Sequence, residues 1–156
     1  MIGSKDRRAG TGTLSNPYAQ ACAAFGDVRV TGIDPWPAKG HHAAMLIYKI
    51  FRRPEWDALR AAGTTAGAPV DLADGFIHFS TAAQVTETAA RHFATESDLV
   101  LVACEANDLA AHLKWEASRG GALFPHLYRE LKIADVVWDK SLPLGATGHI
   151  FPEGVI

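Results

Sequence analysis

Gly75-Phe76-Ile77-His78-Phe79-Ser80-Thr81-Ala82-Ala83-Gln84 changes its period half-way along. From Phe76 to Ser80 the residues suit a strand, whose side chains alternate between two faces. Ile77 and Phe79 point to a core; Phe76, His78 and Ser80 share the other face. Thr81 then starts a helix, and Gln84 three residues on completes a capping box. That helix is expected to run through Ala89 to about Phe93.

Upstream, order is expected from Met45. Leu46-Ile47-Tyr48-Lys49-Ile50-Phe51 is apolar and reads as a buried strand. Pro54 and Glu55 suit a helix start, where a missing N–H is harmless and a carboxylate meets the dipole. Gly63 is its natural stop, and residues 64–69 read as loop. Downstream, Leu99 to Glu105 is apolar on both faces, as a central strand would be. Residues 107–112 make a connection with room for a helical turn. Residues 113–116 form a short strand, and Ser118-Arg119-Gly120-Gly121 is turn chemistry. Leu123 to Tyr128 is extended, but Pro125 argues for an edge or a bend. Residues 133–138 supply a last turn and strand. Strands outnumber helices and the connections are short. The expected class is therefore α+β, a small mixed or antiparallel sheet with a few helices.

Composition fits one such domain plus a tail. The chain has 156 residues, 48% of them hydrophobic and 21% charged, enough to bury a core. The net charge is −2, which argues against a broad nucleic-acid surface, since that binding needs Lys and Arg against phosphates. Residues 1–44 hold five basic and three acidic residues, and 45–156 hold ten and fourteen. The first segment is rich in Gly, Ser, Thr, Pro and Ala without a sustained period. It reads as a poorly ordered N-terminal extension, or as sequence upstream of a true start at Met45. The domain proper is then 45–156. No apolar run is long enough to span a membrane, and the N-terminus lacks a secretory pattern. Cys22 and Cys104 make no disulfide framework, and Cys104 sits in the apolar run as an inert thiol. The expected compartment is a reducing cytoplasm.

Two clusters carry candidate chemistry. In the first, His78 and Ser80 share a strand face beside Phe76, at a strand end leading into a helix whose free N–H groups suit an anion. The plainer alternative is a structural histidine with Ser80 helping to cap. The second holds Trp115, Glu116, Ser118 and Arg119, then Phe124, His126 and Tyr128. If residues 123–128 are extended, Phe124, His126 and Tyr128 share a face suited to a flat ring with polar substituents. The plainer alternative is aromatic packing on an edge strand, with Glu116 and Arg119 as a surface ion pair. His78, His92, His112 and His126 lack zinc spacing, so no metal is expected from sequence. No phosphate loop of the Walker or Rossmann type is present.

At these residues the chain resembles a bacterial family catalogued as domain of unknown function 952. The motifs are Ile47-Tyr48-Lys49-Ile50, Trp56, Gly75 to Thr81, Lys114-Trp115-Glu116 and Phe124-Pro125-His126-Leu127-Tyr128. That family resembles the ADP-ribosyltransferase superfamily, in particular the RNA 2'-phosphotransferases, which use NAD. Their strand reading His-Val-His-Leu-Ser is similar to Ile77-His78-Phe79-Ser80. Their first strand, Tyr-His-Gly-Thr, corresponds to Tyr48-Lys49-Ile50-Phe51. The resemblance implies an ADP-ribosyltransferase-like fold and a pocket in which NAD is a substrate.

Under that reading His78 holds the nicotinamide ribose and Ser80 supports it. Tyr48 or Tyr128 packs on the leaving ring, and Lys49 and Arg119 face phosphates. His126 or Glu116 handles the acceptor proton. Two positions depart from the phosphotransferases: Lys49 replaces a histidine, and Asp74 stands where they have an arginine. A non-catalytic nucleotide or small-metabolite site, and an aromatic protein-interaction surface, are the competing expectations.

Overall fold

The computed structural model describes residues 44–118 and 120–156. In chain order the elements are β1 (Leu46–Arg52), α1 (Arg53–Ala62), β2 (Thr64–Thr65), α2 (Pro69–Asp74), β3 (Ile77–His78), α3 (Ala82–His92), β4 (Leu99–Glu105) and α4 (Ala106–Leu109). Then come β5 (Leu113–Ala117), β6 (Leu123–Leu127), β7 (Leu131–Lys132), a 3-10 turn (Ile133–Asp135), β8 (Val136–Leu142), β9 (Leu144–Gly145) and β10 (Gly148–His149). The class is α+β. The expectation of poor order for residues 1–44 falls, but for residue 44, outside the described residues, as does Cys22.

Two antiparallel three-stranded sheets form the frame, in the orders β1-β4-β8 and β3-β6-β5. β4 is central, as its two-sided apolar run requires. Alternation along β1 and β4 splits their side chains between two cores. Ile47, Phe51, Val100, Val102 and Cys104 pack with Ile77 and Leu127 of the second sheet, with Phe79 just beyond it, and with Trp56 and Leu59 of α1. Tyr48, Ile50, Leu99, Leu101 and Ala103 pack on the other face against Val85 and Ala89 of α3. Each large apolar side chain so buried contributes roughly 1.5–3 kcal/mol. Burial also pushes the Cys104 thiol up to about 12, with help from Asp135, so it stays protonated at neutral pH.

The helices begin where expected, with one addition. In α1 the Glu55 carboxylate accepts from Arg52 N–H at 2.9 Å and Gly63 closes the helix in the left-handed region. In α3 Gln84 Oε1 accepts from Thr81 N–H at 3.0 Å. The addition is α2, inside the stretch that follows the expected loop. It has the same grammar as α1: Pro69 opens it, Asp71 accepts from Ala68 N–H at 2.7 Å, and left-handed Gly75 ends it.

Pro125 overturns an expectation. β6 is the middle strand of its sheet, not an edge. The proline is tolerated because of where β3 stops. Ile77 and His78 pair with Leu127 and His126, and Phe79 N–H still donates to the Pro125 carbonyl at 2.9 Å. Pro125 has no N–H to give back, and at that point the chain leaves β6. Ser80 pairs instead with Tyr48 of β1, by two backbone bonds of 2.8 Å. The expected strand over residues 76–80 is thus divided between the two sheets.

Candidate functional site

His78 and His126 lie opposite one another in the β3–β6 ladder, and Lys114 lies opposite His126 in β5–β6. Cross-strand partners share a sheet face, so the three form a row. Ile77 and Phe79 fill the core beneath, which turns His78 outward. The two imidazoles meet edge to face at 5.1 Å between centroids. Phe76 bridges them, stacked on His126 at 4.3 Å and tilted against His78 at 4.8 Å. Tyr128 completes the aromatic group at 5.2 Å from Phe76, with the Lys114 ammonium 4.0 Å over its ring.

Each histidine is backed by a carboxylate. His126 Nδ1 lies 2.8 Å from Glu116 Oε2, and the same oxygen accepts from the Tyr128 hydroxyl at 2.8 Å. The His126 and Tyr128 hydrogen bonds draw the Glu116 carboxyl below its usual range. The Glu116 hydrogen bond in turn raises the Tyr128 phenol. Both ring nitrogens of His78 face acids: Nδ1 lies 2.7 Å from Asp71 Oδ1, and Nε2 lies 3.2 Å from Asp74 Oδ2.

Asp71 is the hub that the sequence reading missed. It is fully buried and collects four donors. Oδ2 takes Lys49 Nζ at 2.6 Å and Ala68 N–H; Oδ1 takes His78 N–H at 3.0 Å and the His78 ring. Burial opposes its ionisation, but the His78 ring hydrogen bond and the Lys49 charge overcome that and hold the carboxyl at about 2. Burial lowers Lys49, and Asp71 opposes that shift. Gly67 makes room for the arrangement, since a Cβ there would collide with the Asp71 side chain. The available signal was Pro69, a carboxylate two residues later and Gly75, the punctuation of a short helix.

The structure therefore brings together His78, His126, Glu116 and Tyr128. Lys49 joins them from beneath, through Asp71, and not from a phosphate-facing surface; its side chain is 7% exposed. Tyr48 is on the opposite face of β1, buried against Trp138 at 5.9 Å and away from the Phe76 group. Ser80 is buried too and shares a hydrogen bond of 3.0 Å with Thr88 of α3. Both were expected on the ligand side; strand alternation explains the first and the change of partner at Phe79 the second. Glu116 pairs with His126 and Tyr128, while Arg119 lies outside the described residues. A half-open hollow of about 230 Å³ adjoins the group, lined by Asp71, Phe76, Tyr128 and Glu130 among others. Among the described residues no cluster of three His, Cys, Asp or Glu is placed to hold a metal. No helix among them is long and apolar enough to cross a membrane.

This site sits on an α+β domain framed by two three-stranded antiparallel sheets. The chain belongs to the family described as "Protein of unknown function (DUF952)", which matches residues 50–139. The crystal structure of protein CC0527 from Caulobacter crescentus is 56% identical, covers 67% of this chain and 91% of its own, and superposes with a TM-score of 0.64. A double mutant of that protein gives 54% identity over the same shares of the two chains and the same TM-score. Its solution NMR structure gives 56% identity over 67% of this chain and 90% of its own, with a TM-score of 0.61. No curated protein matches the chain.

Proposed function

We propose that the domain is an NAD-handling enzyme of the ADP-ribosyltransferase kind whose working face is formed by His78, His126, Glu116, Phe76 and Tyr128. One observation carries the reading: two carboxylate-backed histidines stand 5.1 Å apart on one sheet face, with the Phe76 ring packed against both. Such a face offers a ring nitrogen for a ribose hydroxyl, a platform for a flat ring, and a base for an acceptor proton.

The reaction would break the bond between the ribose C1' and the nicotinamide nitrogen. Its electron pair returns to the ring, neutral nicotinamide leaves, and C1' takes a bond from the acceptor. The acceptor's proton passes to His126, which Glu116 supports. His78 holds the ribose and orients C1' for attack. Phe76 and Tyr128 pack on the leaving ring. Arg119 is the proposed phosphate contact. Lys49 has a different part from the one the resemblance implies: it balances the charge of Asp71.

A second reading has an observation of its own. Because Lys49 is committed to Asp71, the first strand offers no free cation to a pyrophosphate. That favours a domain that binds a nucleotide or small metabolite without cleaving it. Incubating the full chain with NAD and following free nicotinamide by liquid chromatography separates the two. Release by the native protein and none by His78→Ala is the expected result. A rise in melting temperature with NAD but no release would establish the binding domain. Neither release nor a rise would end the NAD reading.

A further inference from the structure

We infer that Asp71 is the positioning residue of this face, fixing which nitrogen of His78 is offered to a ligand. The inference rests on His78 being the group that meets the ligand. A carboxylate held at about 2 carries no proton at neutral pH, so it can only accept. At 2.7 Å from Asp71 Oδ1, Nδ1 must then be the protonated nitrogen. The hydrogen bond at one nitrogen sets the tautomer of the ring, so Nε2 is the atom turned away from the core.

Orientation is fixed along with the proton. The same Oδ1 accepts His78 N–H at 3.0 Å, so backbone and ring of one residue are gripped by one atom. The other oxygen is anchored by Lys49 of β1 and by Ala68 at the start of α2. Lys49, 22 residues upstream, and the start of α2 must both be in place before the carboxylate can sit there. Lys49 supplies the opposite charge that a buried carboxylate requires. At the far side of the ring, half-exposed Asp74 stands 3.2 Å from Nε2, a contact that attracts only when the ring carries both protons. A ligand meeting Nε2 has only this surface carboxylate to move aside, whereas Asp71 is locked.

The test is long-range proton–nitrogen NMR of the His78 ring in the full, ligand-free chain, at a pH where the imidazole is neutral. The expected native spectrum is a single tautomer with the proton on Nδ1. Asp71→Asn keeps the shape of the side chain but can turn its amide towards the ring; a tautomer mixture or the Nε2–H form is expected. If that variant does not fold, Lys49→Met with Asp71→Asn removes both buried charges together and supplies a second background. A native ring with its proton on Nε2, or a variant that keeps the native pattern, overturns the inference. Nicotinamide release serves as a separate readout. Asp71→Asn should lower kcat roughly a hundredfold or more with a smaller change in KM, as when a carboxylate that orients a catalytic histidine is neutralised. Because the tautomer is read without NAD, its failure and that of the NAD reading are told apart.

Discussion

Two carboxylates support histidines on one sheet face, and they do so in opposite surroundings. Asp71 is sealed in protein, takes four donors and is paired with a buried lysine. Glu116 is 40% exposed and shares one oxygen between His126 and Tyr128. The local contact to the ring is almost the same, 2.7 Å against 2.8 Å. What differs is how much of the fold depends on it. A buried charge cannot lose its partner cheaply, because water does not replace what is lost. A surface carboxylate can, because solvent screens and rehydrates it. One histidine is therefore held by the architecture and the other by a contact that the surface can rearrange.

The contrast predicts the largest effect for Asp71→Ala. Removing the hub strands the Lys49 charge and three other donors, and should cost about 3–5 kcal/mol, read as a shift of the urea midpoint. A loss below about 1 kcal/mol would place Asp71 with the surface pairs. An intermediate effect should appear with acid. The Asp71 carboxyl is held near 2 against an ordinary 3.8, so its stabilisation is complete above about pH 4 and lost as pH falls through 2. That contribution is roughly 2 kcal/mol. Stability measured from pH 5 down to pH 1.5 should fall along this limb, and Asp71→Asn should flatten it. The smallest effect is expected of Glu116→Gln. Its stability change should stay below about 1 kcal/mol after screening by solvent, while nicotinamide release falls if His126 is the base. A large loss of stability there would erase the distinction between the pairs.

Much of this frame was legible in the sequence. β1 and β4 are apolar runs, α1 and α3 carry capping signals at both or one end, and period-two alternation set His78 and His126 on the outward faces of their strands. Those readings rest on local rules, and local rules apply wherever an element is long enough to repeat. Helix α2 has six residues, too short for a period to emerge, and its Val70 and Leu72 are exposed. No period in the local sequence therefore singled out Asp71. Its role depends on Lys49, 22 residues upstream, and no spacing rule reports such a meeting. Tyr48 and Lys49 were expected to serve one pocket because the resemblance puts both in the first-strand motif. In a strand, neighbours face opposite ways, and here one enters each core. The central place of Pro125 was hidden for a related reason: a rule about lone strands says nothing about where the neighbouring strand ends.

That proline has a mechanical consequence. At Phe79 the chain passes from one sheet to the other: its N–H is the last bond to β6, and Ser80 is the first residue paired with β1. A dipeptide step of roughly 7 Å is all that separates the two anchorages. The two sheets are coupled through this step, and the outward imidazole lies next to it. A missing proton on one imino acid thus marks a seam, and the outward His78 ring stands beside it.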